Sequence, residues 1–134
     1  MLDNLQSTRM ENVLVLDNDL YFANTLKLYF QKQNVNCIIC DNGNQAIEHI
    51  QANKFDLIIC STQLGHKSGL ELSMLLKSQL SDYNIPFLLV TPNNNASMNS
   101  YFTELEPTAI LHKPVSFPTL VATIENIKSL RSAF

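Results

Sequence analysis

Five short apolar runs divide the chain: Val13-Leu14-Val15-Leu16, Cys37-Ile38-Ile39-Cys40, Leu57-Ile58-Ile59-Cys60, Phe87-Leu88-Leu89-Val90 and Ala109-Ile110-Leu111. None alternates polar with apolar residues. Read as strands, they need cover on both faces, the condition of a parallel sheet held between helical layers. Between the runs the apolar residues take up a helical period. Phe22, Leu26, Tyr29 and Phe30 share one face, as do Ala46, Ile47 and Ile50, then Leu72, Leu75, Leu76 and Leu80, then Met98, Tyr101, Phe102 and Leu105. The last stretch carries Phe117, Leu120, Val121, Ile124 and Ile127 at helical spacing. The pattern predicts a five-fold repeat of strand and helix, an α/β fold.

Boundary signals agree with this pattern. Asn18 or Asp19, Asn42 or Asn44, and Asn93 to Asn95 can cap helix starts, because their short side chains accept hydrogen bonds from free N–H groups. Pro118 fits the first turn of the last helix, where its missing N–H does no harm. Residues 1–10 show no periodicity and read as a loose tail. Residues 11–134 read as one domain, in keeping with a length of 134 residues.

Composition narrows the functional classes. A net charge of -3 with only 9 Lys and Arg leaves no basic face for a phosphate backbone, so direct nucleic-acid contact is not expected. The apolar runs are far shorter than the ~20 residues that span a bilayer. The first residues lack the basic and apolar segments of a secretory signal, and cytoplasmic residence is the expectation. Three cysteines fit a reducing compartment better than a disulfide framework. Three glycines cannot build a dinucleotide fingerprint or a Gly-rich phosphate loop.

Ligands of open parallel α/β sheets bind beyond the carboxyl ends of the strands, where strand order reverses. The residues following the five runs are Asp17 and Asn18, Asp41, Ser61 and Thr62, Thr91, and His112 and Lys113. Acid, amide, hydroxyl and lysine groups therefore gather at one edge.

Those edges sit in four blocks that resemble the signature blocks of the response-regulator receiver domain. They are Val13-Leu14-Val15-Leu16-Asp17-Asn18-Asp19, Phe55-Asp56-Leu57-Ile58-Ile59-Cys60-Ser61, Ile85-Pro86-Phe87-Leu88-Leu89-Val90-Thr91 and Leu111-His112-Lys113-Pro114. Asp17 and Ser61 are 44 positions apart, and Ser61 and Lys113 are 52 apart. These spacings are close to those of the family, over about residues 11 to 131. The resemblance implies a flavodoxin-like sheet of order 2-1-3-4-5, an aspartate phosphorylated by a partner histidine kinase, Mg²⁺, and a cis bond between Lys113 and Pro114.

The chain departs from that pattern at its chemical centre. The third strand of the family ends in the phosphoacceptor aspartate, and here that position is Ser61. The first strand ends in two acids, and here the pair is Asp17 and Asn18, with the amide where direct metal contact is expected. Asp17, Asp19, Thr91, Lys113 and Pro114 are retained. A carboxylate is already anionic at neutral pH, whereas a serine hydroxyl needs a base to become nucleophilic. Asp56 lies at the opposite end of the third strand, roughly 16 Å away at ~3.3 Å per residue, and cannot take over. With Asp17 as the central carboxylate and Asp19 peripheral, Mg²⁺ binding is expected to be weak or absent, because Mg²⁺ prefers carboxylate oxygens. Lys113 is expected to pair with Asp17 or to donate to Ser61 or Thr91. The residue three before the lysine, aromatic in most of the family, is Ile110. Pro92 follows Thr91, Glu106-Pro107 precedes the fifth strand, and the loop Thr62 to Gly69 lacks the usual proline.

Other chemistry reads less well. A Ser61–Lys113 hydrolase would need an oxyanion hole or nucleophile elbow, and neither is visible. A flavin protein would need a phosphate loop where Asp17-Asn18-Asp19 stands. Cys37 and Cys40 point to opposite faces of a strand and read as buried thiols. His112 should face away from Lys113, and His49 and His66 share no zinc spacing. The stripe from Met98 to Leu105 reads as core, with partner docking as the alternative. The expectation is a degenerate receiver, not an enzyme, acting by phosphorylation-independent contact with a signalling protein or output domain. Alternatives are a homodimer through the fourth helix, fifth strand and fifth helix, and the regulatory module of a longer DNA-binding transcriptional regulator. Because the fold consumes nearly the whole chain, no output domain is expected within it.

Overall fold

In the computed structural model the described residues are 10–61, 76–78, 81, 85–92 and 107–132. They form strands β1 (Asn12–Leu16), β2 (Asn36–Cys40), β3 (Leu57–Ser61), β4 (Phe87–Pro92) and β5 (Ala109–Lys113). Helix α1 (Leu20–Lys32) follows β1, α2 (Gly43–Ala52) follows β2 and α3 (Phe117–Ser132) follows β5. The strands make one sheet in the order β2-β1-β3-β4-β5, all pairs parallel, as expected of the flavodoxin-like arrangement. The register sets Leu16 against both Cys40 and Cys60, and Ser61 against Val90.

Two cores form because the sheet is buried on both faces. On one face Val13, Val15, Leu57, Ile59, Leu88 and Val90 meet Ala23, Leu26 and Phe30 of α1 and Leu120, Ile124 and Ile127 of α3. On the other, Leu14, Leu16, Ile58, Cys60, Phe87 and Leu89 meet Ala46 and Ile50 of α2, with Leu76. Cys37 belongs to the first core and Cys40 to the second, so this pair does point to opposite faces.

Full cover on both faces holds for β1, β3 and β4 but not for the edge strands. Along β5 the residues are alternately half-buried and exposed, and Ile110 is 39% exposed. An edge strand has a neighbour on one side only, so its outer flank is left to solvent. Phe117, assigned to the buried stripe of the last helix, is 50% exposed and meets the Tyr29 ring edge-on.

The caps resolve the sequence alternatives. Asp19 accepts the N–H of Phe22 at the start of α1, and Asn42 that of Gln45 at the start of α2. Ser116 accepts the N–H of Thr119, and Pro118 lies in the first turn of α3. Asn34 takes φ 61 just past α1, a left-handed conformation that asparagine tolerates. The candidate caps Asn93 to Asn95, the residues Leu72, Leu75 and Leu80, the stripe from Met98 to Leu105 and the loop Thr62 to Gly69 lie outside the described residues.

At the amino end of the sheet, Asp56 Oδ2 accepts the N–H groups of Glu11 and Asn12 at 2.8 and 3.0 Å, clasping the entry of β1 to that of β3. Met10, the last residue of the sequence-assigned tail, is 4% exposed within the first core, so the packed chain already includes it.

Candidate functional site

The carboxyl ends of β1, β3, β4 and β5 bring Asp17, Ser61, Thr91 and Lys113 to one edge, with Asn18 and Asp19 in the turn that opens α1. The strands run further than the apolar runs. Ser61, Thr91, His112 and Lys113 are strand residues, so pleat and register decide where each points.

Asp17 is 2% exposed. Its Oδ1 accepts the Asp19 N–H at 2.8 Å and its Oδ2 accepts from Lys113 Nζ at 2.9 Å. Burial pushes this carboxyl above its ordinary value, while those two hydrogen bonds pull it back down. Asp19 is the more open acid. Its Oδ1 caps α1 through Phe22 N at 3.2 Å, and its Oδ2 lies 3.3 Å from Lys113 Nζ. The Phe22 N–H, ahead of the Lys113 contact, holds the Asp19 carboxyl below its ordinary value. Of the destinations expected for Lys113, the structure realises Asp17 and adds Asp19, so Asp19 is not peripheral.

Two contacts escaped the sequence reading. The Phe22 ring lies 4.5 Å from Lys113 Nζ, adding a cation–π contact to the ion pairs. Thr91, fully buried, places Oγ1 2.8 Å from His112 Nδ1. Register carries this pairing, since Thr91 and His112 are opposed on β4 and β5. The signal was available in the equal depth of the two residues along consecutive strands. His112 does face away from the Lys113 cluster, and it engages the hydroxyl at the end of β4.

Ser61, 2% exposed, ends β3 one step beyond the Leu16–Cys60 pair, which makes it the neighbour of Asp17. The Lys113-Pro114 peptide is cis. Among the described residues, no three His, Cys, Asp or Glu side chains converge in a way that could hold a metal ion. The cysteines are free thiols, and no described helix is long and apolar enough to cross a membrane.

A doubly wound parallel sheet with acids, hydroxyls and a lysine at its carboxyl edge is the arrangement of the flavodoxin-like α/β domains. Within that class, residues 13–125 match the model of the response regulator receiver domain, and the chain belongs to that family. It is 25% identical over 114 residues to the transcriptional regulatory protein ZraR of Escherichia coli K12, covering 85% of this chain and 25% of ZraR. It is also 25% identical over 118 residues to the transcriptional regulatory protein CpxR of the same organism, covering 88% of this chain and 49% of CpxR. The chain thus spans a quarter to a half of these two relatives. In fold it is similar to the receiver domain of a modulated diguanylate cyclase from Desulfovibrio desulfuricans G20, with TM-score 0.76, 21% identity, and 93% and 98% of the two chains covered. The HemR receiver domain of Leptospira biflexa gives TM-score 0.75 at 21% identity, over 89% and 94% of the two chains.

Proposed function

We propose that this receiver domain signals through protein–protein contact without phosphorylation of an aspartate. The observation that carries the reading is the identity of the residue at the end of β3. Ser61 stands beside Asp17 where the family places its phosphoacceptor. Its hydroxyl lacks the standing negative charge that makes a carboxylate a ready nucleophile toward phosphoryl groups. Lys113, the group that would neutralise incoming charge, is paired with Asp17 and Asp19. The pocket then presents one charge state to its partners, a fixed surface in place of a switch.

Catalysis by Ser61 and Lys113 is disfavoured for the same reason. An ammonium engaged by two carboxylates offers no lone pair to take the serine proton. The partner is a signalling protein or an output domain in a cytoplasmic, two-component-type chain. A homodimer through the fourth helix, fifth strand and fifth helix, of which β5 and α3 are among the described residues, is the alternative, and sedimentation analysis at increasing concentration separates the two. A second reading, the regulatory module of a longer transcriptional regulator, is favoured by the share of ZraR and CpxR that the chain spans. Sequencing the natural reading frame beyond Phe134 tests it.

The main test is incubation with acetyl phosphate and Mg²⁺ followed by intact-mass measurement. The expected result is an unchanged mass. A hydroxylamine-labile phosphoryl adduct would overturn the proposal.

A further inference from the structure

A receiver pocket implies a divalent cation, and the fit of these residues to one turns on their carboxylate oxygens. Among the described residues, the pocket's two carboxylates carry four oxygens, and each already has a partner. Asp17 Oδ1 is taken by the Asp19 N–H and Oδ2 by Lys113, while Asp19 Oδ1 is taken by the Phe22 N–H and Oδ2 by Lys113. The remaining side chain at the end of β1 is the neutral amide of Asn18. Mg²⁺ needs near-octahedral oxygen ligands at ~2.0–2.1 Å and sheds water reluctantly, so it competes poorly for oxygens already engaged. A positive charge also stands 2.9 Å from Asp17 Oδ2, and a second cation beside it would be repelled.

We infer that the Lys113 ammonium is the resident cation of this pocket, held by Asp17, Asp19 and the face of Phe22. It takes the electrostatic place of a divalent metal, and its removal creates a cation site that the native protein lacks. Three groups from the stretch Asp17 to Phe22 converge on one nitrogen, and the side chain of Lys113 is only 21% exposed. A lysine in free solvent would show no such convergence. The inference rests on the reading of the pocket as one that works without phosphoryl transfer, and it adds what keeps the pocket in a single charge state.

Two measurements test it. In the wild-type protein with ¹³C-labelled lysine, the Lys113 ε-methylene signal should lie upfield under the Phe22 ring current and stay unmoved through a millimolar excess of Mg²⁺. A saturable Mg²⁺-dependent shift of that signal overturns the inference, and this arm needs no variant to fold. In the second arm, Mn²⁺ is titrated into wild type, Lys113→Met and the Lys113→Met/Asp17→Asn double variant, with free Mn²⁺ read by electron paramagnetic resonance. Lys113→Met should bind at least about tenfold more tightly than wild type, a difference near 1.4 kcal/mol, and the double variant should lose the gain. Equal binding by wild type and Lys113→Met overturns the inference. A phosphoryl adduct in the mass assay would defeat the phosphorylation-independent reading without touching either metal readout, so the two failures are distinguishable.

Discussion

Asp19 illustrates how much one side chain can do at the mouth of a parallel sheet. One of its oxygens caps α1 and the other meets Lys113. Replacing it with alanine should cost about 1 kcal/mol through the lost cap alone. Its carboxyl lies lower in the folded chain than its ordinary value of 3.8, so the folded state binds fewer protons than the unfolded one in that range. Its stabilising contribution is therefore complete above pH 3.8 and is lost as the pH falls through the depressed folded value. Urea denaturation of wild type and Asp19→Ala at a series of pH values should show the gap between them closing on acidification. The thiols make a second prediction. Burial pushes Cys37 up to about 11, Cys40 up to about 12 and Cys60 well above its ordinary value. Ellman's reagent at mildly alkaline pH should find almost no reactive thiol in the native protein and three after denaturation. At this scale most of the candidate site was legible, because Asp17, Ser61, Thr91 and Lys113 each follow an apolar run. The Thr91–His112 contact was not. His112 reads as a strand residue facing away from Lys113, but the residue it meets is set by the register of β4 against β5.

At the level of the element, the buried faces of α1 and α2 follow the helical spacing closely, since both helices lie over the covered interior of the sheet. Phe30, fully buried in the first core, anchors α1. Phe30→Ala should cost about 3–5 kcal/mol, checked by denaturant titration, because it removes a fully buried aromatic ring and leaves a void in the first core. The departures fall where cover runs out. Neither the half-open face of β5 nor the exposure of Phe117 is encoded in the apolarity of Ile110 or Phe117 themselves. Exposure there depends on which strand ends up at the edge of the sheet. Strand order is a property of the crossovers, and the resemblance supplied it while the hydrophobic pattern did not.

Across the whole molecule, the sheet separates two polar centres. The pocket of Asp17, Asp19 and Lys113 occupies the carboxyl edge, and the Asp56 clasp occupies the amino edge. Asp56→Ala leaves two main-chain N–H groups without their charged acceptor and should cost about 2 kcal/mol. The Lys113 ε-methylene signal should meanwhile keep its wild-type position, which lysine-selective NMR on the variant would check. Asp56 therefore belongs to folding, as its place at the far end of β3 required. The clasp has a consequence for how such a chain can change over time. A domain whose strands are fastened at the pole opposite its chemistry can exchange an aspartate for Ser61, or an acid for Asn18, without loosening the frame that presents them. A substitution at the working edge then leaves a sound scaffold, open to a different use.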